Sequence, residues 1–340
     1  MSGRAPTGGP EPDGTTTERA MGGIVDFEVR FPASRVDVHH LHAASGVAVE
    51  DILAITHTER FPVLGDHEQA WELAAEAARA VLERNEVSPD DVSHVVYAGS
   101  GEWDLPFWSP AARVAQELDI SRAHCFEVTN FCNGAMTAVR TGLNELALGG
   151  GPFVLVIVGD RLSTLVDHED PDSKALFNFG DAPAAVLLGR RDPAFEVLAS
   201  SMRTDPSWAD YYSGDIEDDR ILMRRRGRRP GLADAYLENF PARVRDVLDT
   251  LGRDVSDIAY FLINQGDRGM HERLLGRLGI PAEKSVFNYD RLGHMGGSDL
   301  LIALRDLLDD KRLAEGDLLL LASSGMGFTW AVTAVEYRGR

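Results

Sequence analysis

Hydrophobic residues follow two alternating patterns along this chain. Continuous apolar runs, typical of buried strands, occupy 94–99, 153–159, 184–189, 258–264 and 317–323. Spacings of three and four residues, typical of amphipathic helices, occupy 36–55, 68–85, 110–118, 235–251, 268–278 and 298–308. An alternating segment at 24–31 predicts one more strand. Strands that alternate with helices predict an α/β fold, in which helices cover both faces of the sheet.

The order of helix, turn and buried strand occurs twice, at 68–99 and again at 235–264. This predicts an internal duplication, with one half at 22–195 and the other at 196–340. Residues 1–21 precede both halves and are rich in Gly, Pro, Thr and charge, so we expect a disordered tail there.

Composition excludes several classes of protein. With 44% hydrophobic and 26% charged residues the chain is typical of a globular protein, and it has no apolar run of about 18 residues to span a membrane. The N-terminus lacks the apolar core of a secretory signal, and two cysteines are too few for a disulfide framework, which favours a cytoplasmic location. A net charge of −20 argues against binding to nucleic acid.

One basic segment departs from this acidic composition. It contains five arginines, Arg224, Arg225, Arg226, Arg228 and Arg229. A solvated loop balanced by nearby carboxylates and a dock for an anionic partner explain the segment equally well. Such a partner could be the phosphates of coenzyme A or an acidic carrier protein.

Cys132 lies where an extended apolar segment gives way to a helical pattern, and small residues such as Gly134 and Ala135 follow it. A thiol in the first turn of a helix faces unpaired N–H groups and the positive end of the helix dipole, which favour the thiolate. Considered alone, however, a free cysteine is more often an inert buried side chain.

Five segments in order resemble the β-ketoacyl synthase III family. They are T-N-F-C-N-G-A around Cys132, the strand at 155–163, F-N-F-G-D-A-P-A-A-V-L-L at 177–188, N-Y-D-R-L-G at 288–293, and the strand from 316 that leads into S-G-M-G-F-T-W at 324–330. Each motif is weak by itself, but their shared order is specific. The resemblance extends over roughly 22–337 and identifies Cys132 as a nucleophile.

The resemblance implies a thiolase fold, a duplicated five-layer α-β-α-β-α sandwich, and a homodimer. It also implies an acyl-CoA or acyl carrier protein donor and an acyl intermediate on Cys132. No separate cofactor is expected, because the coenzyme A or phosphopantetheine arm is part of the substrate. The family pattern places oxyanion donors at the N–H of Cys132 and in the turn Gly325-Met326-Gly327, where Met326 replaces a usual glycine. Arg268 and Arg273 are alternative docks for the donor.

The sequence departs from the family pattern at three positions. The usual active-site His is Asn264, the usual Asn is His294, and a usual bulky Phe is Ser324. All three changes affect the condensation step, whereas the nucleophile is retained. Asp299 follows His294 by five residues and can orient its imidazole, which predicts a triad Cys132–His294–Asp299.

Three functions remain open, in order of preference. The first is transfer of the acyl group to a hydroxyl or amine of a small molecule without decarboxylation, as in the ketosynthase-III-like acyltransferases of natural-product biosynthesis. The second is decarboxylative condensation, since Asn264 and His294 are the usual pair with exchanged places. The third is a non-catalytic partner subunit. Asp299 could also be only an acidic helix start, and His294 only a structural histidine.

Two further clusters carry no clear assignment. Asp37, His39, His40 and His42 do not fit the spacing of a known metal site, and the family uses no metal, so we expect none. Five aromatic residues are equally compatible with a pocket wall and with an interface or core: Trp103, Phe107, Trp108, Tyr211 and Tyr212.

Overall fold

The computed structural model describes residues 22–217, 220–226 and 229–339. The predicted tail at 1–21 and Arg228 lie outside the described residues. Eight α-helices are described: α1 (Val38–Ser45), α2 (Val49–Thr56), α3 (Ala70–Arg84), α4 (Pro110–Glu117), α5 (Gly134–Ala147), α6 (Leu232–Leu251), α7 (Arg268–Leu278) and α8 (Asp299–Asp309). None of these helices has the length and hydropathy needed to cross a bilayer.

Thirteen strands are described. They are β1 (Gly23–Val29), β2 (Arg35–Asp37), β3 (Arg60–Pro62), β4 (Val92–Gly99), β5 (His124–Thr129), β6 (Phe153–Val158), β7 (Ala184–Gly189), β8 (Phe195–Thr204), β9 (Tyr212–Glu217), β10 (Arg220–Arg225), β11 (Ile258–Ile263), β12 (Leu318–Gly325) and β13 (Thr329–Tyr337). Nine of them form one mixed sheet in the order β11-β12-β13-β8-β1-β7-β6-β4-β5. The other four form two antiparallel pairs, β2 with β3, which α1 and α2 separate in the chain, and the hairpin of β9 with β10.

The large sheet consists of two similar sections. Within each, a parallel pair (β4 with β6, β11 with β12) is followed by two antiparallel neighbours. The sections meet where Gly23 and Ile24 of β1 pair with Glu196 and Phe195 of β8. The strand β5 has no counterpart in the second section and leaves the first with an open edge.

Side chains that alternate along the buried strands fill three separate cores. Leu155 and Ile157 of β6 face α3 and α4, whereas Val156 and Val158 face a central layer that contains α5 and α8. In β12 the alternation repeats: Leu319 and Leu321 join the central layer, and the intervening leucines pack under α6 and α7. The two sections of the sheet therefore form two layers, with one helical layer between them and one on each outer side. This confirms the predicted five-layer α-β-α-β-α sandwich.

The segment 36–55 differs from the continuous helical spacing that we expected. It contains the short strand β2 and two helices, which are separated by Gly46 with φ of +71°. Asp37, from the histidine-rich cluster, caps α1 by accepting a hydrogen bond from the N–H of His39. Its carboxylate also pairs with Arg60 at 2.8 Å, so this Asp has a structural role.

Candidate active site

Cys132 lies at a sharp turn between β5 and α5. Residues Phe131–Asn133 form a single 3-10 turn, and Phe131 has φ of +50°, a left-handed conformation that costs a non-glycine residue about 1–2 kcal/mol. The helix then begins at Gly134, whose Cα packs so closely on Gly99 that an added Cβ would lie 3.0 Å from its backbone nitrogen. This close packing holds the thiol at the helix N-terminus, where Cys132 is 7% exposed.

His294 and Asp299 complete the predicted triad. The Nε2 atom of His294 lies 3.1 Å from Sγ of Cys132, and its Nδ1 atom lies 2.5 Å from Oδ2 of Asp299. Burial by itself would lower the pKa of His294, but the Cys132 thiol and the Asp299 carboxylate outweigh it and raise this pKa well above its ordinary value. The arrangement of nucleophile, base and orienting acid can activate the thiol for attack on an acyl group.

The backbone around the triad fixes both side chains. Asp299 is 1% exposed and accepts hydrogen bonds from the N–H of Gln265 (2.7 Å) and of Met295 (2.8 Å). The N–H of His294 donates to the carbonyl of Asn178 at 2.6 Å, and the Phe179 ring contacts the imidazole edge to face. Asp299 also lies in the first turn of α8, so it is both an acidic helix start and the hydrogen-bond partner of His294.

Asn264 connects two parts of the site. Its Nδ2 donates to the carbonyl of Gly296 at 2.9 Å, and its Oδ1 accepts from the N–H of Ser324, also at 2.9 Å. The side chain therefore holds the loop after His294 against the end of β12 and uses one of its two Nδ2 protons to do so. Support of the reaction by Asn264 remains a prediction.

The glycine turn 325–327 lies directly against the nucleophile turn. A Cβ at Gly325 would come within 2.2 Å of the carbonyl oxygen of Asn130, so only glycine fits there, and Gly327 has φ of +93°. Met326, between them, lines the cavity that Cys132 and His294 share. The turn thus lies where oxyanion donors are expected, and that role for its N–H groups remains a prediction.

A buried polar network beneath the thiol was missed by sequence reasoning. The Nδ2 of Asn133 donates to Oδ1 of Asn130 (2.6 Å) and to Oγ1 of Thr137 (3.2 Å), and Ser323 donates to Oδ1 of Asn133. Asn133 is fully buried and joins the nucleophile turn to β12. The sequence did contain a signal for this network, because Asn residues lie on both sides of the nucleophile. Small apolar residues would be enough for packing there, so buried amides indicate hydrogen bonding.

The catalytic cavity has a volume of about 340 Å³. Besides Cys132 and His294, its polar lining includes Tyr236 and Ser324, whose hydroxyl groups are 2.9 Å apart. Burial raises the pKa of Tyr236 far above its usual range, so its phenol stays protonated. Ser324 occupies the place where the family pattern has a bulky Phe, which leaves room for this hydrogen bond.

The five aromatic residues that we considered as possible pocket walls lie in different surroundings. Tyr212 lines the catalytic cavity, and Tyr211 packs beside it with 5.0 Å between ring centroids. Trp103 and Trp108 instead contact the core beneath α3 and α4, and Phe107 is fully exposed. Only Tyr212 among the five lines a described cavity.

The arginines proposed as docks for the donor differ in how many carboxylates already pair with them. Arg224 is 16% exposed and pairs with three carboxylates, Asp167 (2.6 Å), Glu217 (2.9 Å) and Asp170 (3.2 Å). Arg226 pairs with Asp215, Arg268 with Glu272, and the guanidinium of Arg225 lies over the Tyr211 ring. Arg273 is exposed on α7. Docking of a donor by any of them remains a prediction.

Within the described ranges, no group of three or more His, Cys, Asp or Glu side chains is arranged to hold a metal ion.

Comparison with known proteins gives a consistent result. Residues 126–206 match the model of the family 3-oxoacyl-[acyl-carrier-protein (ACP)] synthase III, and residues 248–337 match the C-terminal model of the same family. Together the two matches cover half of the chain. The sequence is 28% identical to β-ketoacyl-[acyl-carrier-protein] synthase III of Erythrobacter litoralis over 90% of this chain and 96% of that protein. It is also 28% identical to the enzyme of the same name from Rhizorhabdus wittichii, over 81% and 86%.

Solved structures are similar over nearly the whole length. The 3-oxoacyl-[acyl-carrier-protein] synthase III of Aquifex aeolicus superposes with a TM-score of 0.83, at 24% identity, over 93% of this chain and 100% of that one. The priming β-ketosynthase of the R1128 polyketide pathway gives the same TM-score at 20% identity, over 96% and 99%. The chain has the thiolase fold and belongs to the 3-oxoacyl-[acyl-carrier-protein] synthase III family of enzymes.

Proposed function

We propose that this enzyme transfers an acyl group from a coenzyme A or carrier-protein thioester, by way of Cys132, to a hydroxyl or amine of a small molecule without decarboxylation. The observation that carries the proposal is the position of His294 between the Cys132 thiol and the Asp299 carboxylate. A base that is oriented by a carboxylate can deprotonate an alcohol or amine, whereas condensation needs hydrogen-bond donors to an enolate. Natural-product biosynthesis is the setting we infer for such an acceptor.

In the first half-reaction, the Sγ proton is held on Nε2 of His294, and the Cys132 thiolate attacks the carbonyl carbon of the donor. The oxyanion forms between the N–H groups of Cys132 and Met326. Collapse breaks the bond to the donor sulfur, and the imidazolium returns its proton to that leaving group. The acyl-Cys132 enzyme and a free donor thiol remain.

In the second half-reaction, the hydroxyl or amine of the acceptor attacks the same carbon while His294 Nε2 takes its proton. Collapse forms the ester or amide and breaks the bond to Sγ. The thiolate and the imidazolium are then in contact again, as in the resting site. Asp299 stabilises the imidazolium in both steps by accepting from Nδ1.

Decarboxylative condensation is the second candidate, because the relatives described above are named β-ketoacyl-[acyl-carrier-protein] synthase III. Asn264 and His294 would then donate to the enolate of a malonyl thioester. Asn264 already donates one Nδ2 proton to Gly296 and accepts from the N–H of Ser324, which leaves it a single proton for an enolate and favours transfer over condensation.

Intact-protein mass spectrometry with acyl thioesters, malonyl thioesters included, separates these functions. Simple transfer predicts an adduct on Cys132 that keeps the full malonyl mass and disappears when an alcohol or amine acceptor is added. Condensation predicts release of carbon dioxide that depends on Cys132, and this result would refute the transfer proposal. The absence of any adduct on wild type, with Cys132→Ala as reference, would indicate a non-catalytic partner subunit.

A homodimer and a cytoplasmic location complete the proposal. The open edge at β5 supports the dimer, because an unpaired strand edge is a surface on which another strand can pair.

A further inference from the structure

Two hydroxyl groups, those of Tyr236 and Ser324, form a hydroxyl pair on the wall of the catalytic cavity. Their oxygen atoms are 2.9 Å apart, and both residues line the cavity together with Cys132 and His294. Among the described residues, neither hydroxyl has another hydrogen-bond partner. The pair carries two protons, and the bond between the two oxygens uses only one of them. The second proton therefore has no acceptor in the described part of the protein.

The surrounding structure holds both hydroxyls in place. The Tyr236 ring packs edge to face against the rings of Phe240 and Trp330, with 5.7 Å between the centroids in each contact. The N–H of Ser324 donates to Oδ1 of Asn264 at 2.9 Å, and Ser324 pairs with Trp330 across β12 and β13. Because burial raises the pKa of the Tyr236 phenol far above its usual range, this group keeps its proton. The two oxygens are thus positioned before a ligand binds.

Two other polar side chains of the cavity wall, His271 and Asp267, have no proton to offer a ligand. Burial lowers the pKa of His271 to about 3, so its imidazole is neutral and carries a single proton. The hydroxyl of Ser285 donates to the carbonyl of Phe261 and therefore accepts that proton from Nε2 of His271, 2.8 Å away. Asp267, as a carboxylate, can only accept hydrogen bonds.

We propose that the hydroxyl pair binds an oxygen atom of the substrate, namely an ether, carbonyl or hydroxyl oxygen carried by the acyl group or by its acceptor. This inference rests on the proposed acyl transfer and adds a class of substrate to it. The acyl chain on Sγ and the incoming acceptor both enter the cavity that the pair lines. A hydrocarbon chain there would displace water and leave the second hydroxyl proton without an acceptor, whereas an oxygen accepts it.

The chain departs from the family pattern at this point, because Ser324 occupies the position of a bulky Phe. A Phe side chain has no hydrogen-bonding group, so the phenol of Tyr236 would lose its partner. Much of the remaining wall is apolar and includes Leu176, Leu232 and Ile263. A single oxygen in an otherwise apolar acyl chain or acceptor matches this combination of an apolar wall with one hydroxyl pair.

Substrates in which one methylene group is replaced by oxygen test the proposal. Methoxyacetyl-CoA and butyryl-CoA carry acyl groups of equal length, and 3-methoxypropionyl-CoA and pentanoyl-CoA move the same exchange one atom further along the chain. In a second arm, the enzyme that carries butyryl on Cys132 is offered 2-methoxyethylamine or butylamine. Single-turnover mass spectrometry measures the rate of acylation in the first arm and the rate of release in the second.

The decisive variant combines Ser324→Ala with Tyr236→Phe and removes both hydroxyls. Each single substitution leaves one hydroxyl whose proton is free, so it keeps a donor and loses only the bond that directs it. The combination of Ser207→Ala with Tyr260→Phe removes the same two groups at positions that line none of the described cavities, and it is the matched control.

In the decisive variant we expect the ratio of the oxygen-containing to the hydrocarbon rate to fall about fivefold or more, at one of the two acyl lengths or with the amines. Each single substitution should lower this ratio by less, and the control should keep the wild-type ratio. Because each ratio is taken within one protein, intrinsic reactivity and the folded fraction cancel when variants are compared. The arm that responds identifies which molecule carries the oxygen.

An unchanged ratio in both arms would overturn the inference, even if every rate fell, because the hydroxyl pair would then support the thiol or the fold rather than bind a substrate oxygen. A wild-type protein in which none of the four thioesters acylates Cys132 would instead refute the proposed function itself. That result is obtained before any ratio is compared, so the two failures are distinguishable.

Discussion

His294 is held by contacts on every side: a thiol at Nε2, a carboxylate at Nδ1, an aromatic ring against its edge and a backbone hydrogen bond. The sequence placed a base at this position, and the spacing of five residues to Asp299 predicted its partner. The hydrogen bonds that fix Asp299 come from Gln265 and Met295, and Gln265 is 34 residues away from Asp299 in the chain. Local patterns cannot supply such contacts, because they depend on how distant loops pack.

Asp299→Asn tests the role of the carboxylate. Because an amide cannot stabilise the imidazolium as a carboxylate does, we expect the rate of acylation of Cys132 to fall by about 10²–10⁴-fold. Single-turnover mass spectrometry measures this rate. Asp309→Asn, an exposed change at the other end of the same helix, is the control, and a fall of less than about tenfold in Asp299→Asn would contradict the triad.

Asp160 is a buried carboxylate that does not line the catalytic cavity. It is 5% exposed, its Oδ1 accepts from the N–H of Ser100 at 2.7 Å, and burial raises its pKa to about 6. The folded protein therefore binds this proton more tightly than the unfolded chain does. Stability from this group is fully present below the unfolded pKa near 3.8 and is lost as the pH rises towards 6.

Replacing Asp160 with Asn should remove this dependence. Between pH 4 and 6 we expect the wild-type free energy of unfolding to lose about 2 kcal/mol from this group, and Asp160→Asn to lose correspondingly less. Urea unfolding at several pH values measures both slopes. Identical slopes in the two proteins would show that Asp160 titrates normally in the folded state.

At the scale of elements, the strongly periodic segments were predicted well. The helix expected at 68–85 is α3 at Ala70–Arg84, and the strand expected at 258–264 is β11 at Ile258–Ile263. The hairpin of β9 and β10 was not predicted, because its sequence is dominated by charged residues rather than by alternating apolar ones. Its arginines were interpreted only as a docking segment or a solvated loop.

Substitutions in the β9–β10 hairpin test whether Arg224 stabilises the fold or docks the acyl donor. Arg224→Met would leave three carboxylates facing one another, so we expect the free energy of unfolding to fall by about 1–3 kcal/mol. Arg226→Met, which loses a single exposed pair, should cost no more than about 1 kcal/mol. A rise in the apparent KM for acyl-CoA in Arg224→Met, with unchanged stability, would instead favour the docking role.

At the scale of the whole molecule, β5 is the strand of the described sheet that has no counterpart in the second section, and it forms one of the two sheet edges. Charge on an edge strand opposes pairing with another chain. His124→Lys, an exposed change at the start of β5, should therefore shift the protein from dimer to monomer at micromolar concentration, as measured by light scattering. His67→Lys serves as the matched control, and an unchanged dimer in His124→Lys would place the interface elsewhere.

Two ladder pairs of described residues, Gly23 with Glu196 and Ile24 with Phe195, join the two sheet sections. The thiol lies on the section completed first during synthesis, whereas the base and the glycine turn follow more than 160 residues later, since Cys132 and His294 are 162 positions apart. A nascent chain that has folded only through β7 thus carries the thiol and its helix N-terminus without the imidazole of His294 and without the glycine turn. The contact between thiol and imidazole therefore forms only when the second section packs against the first.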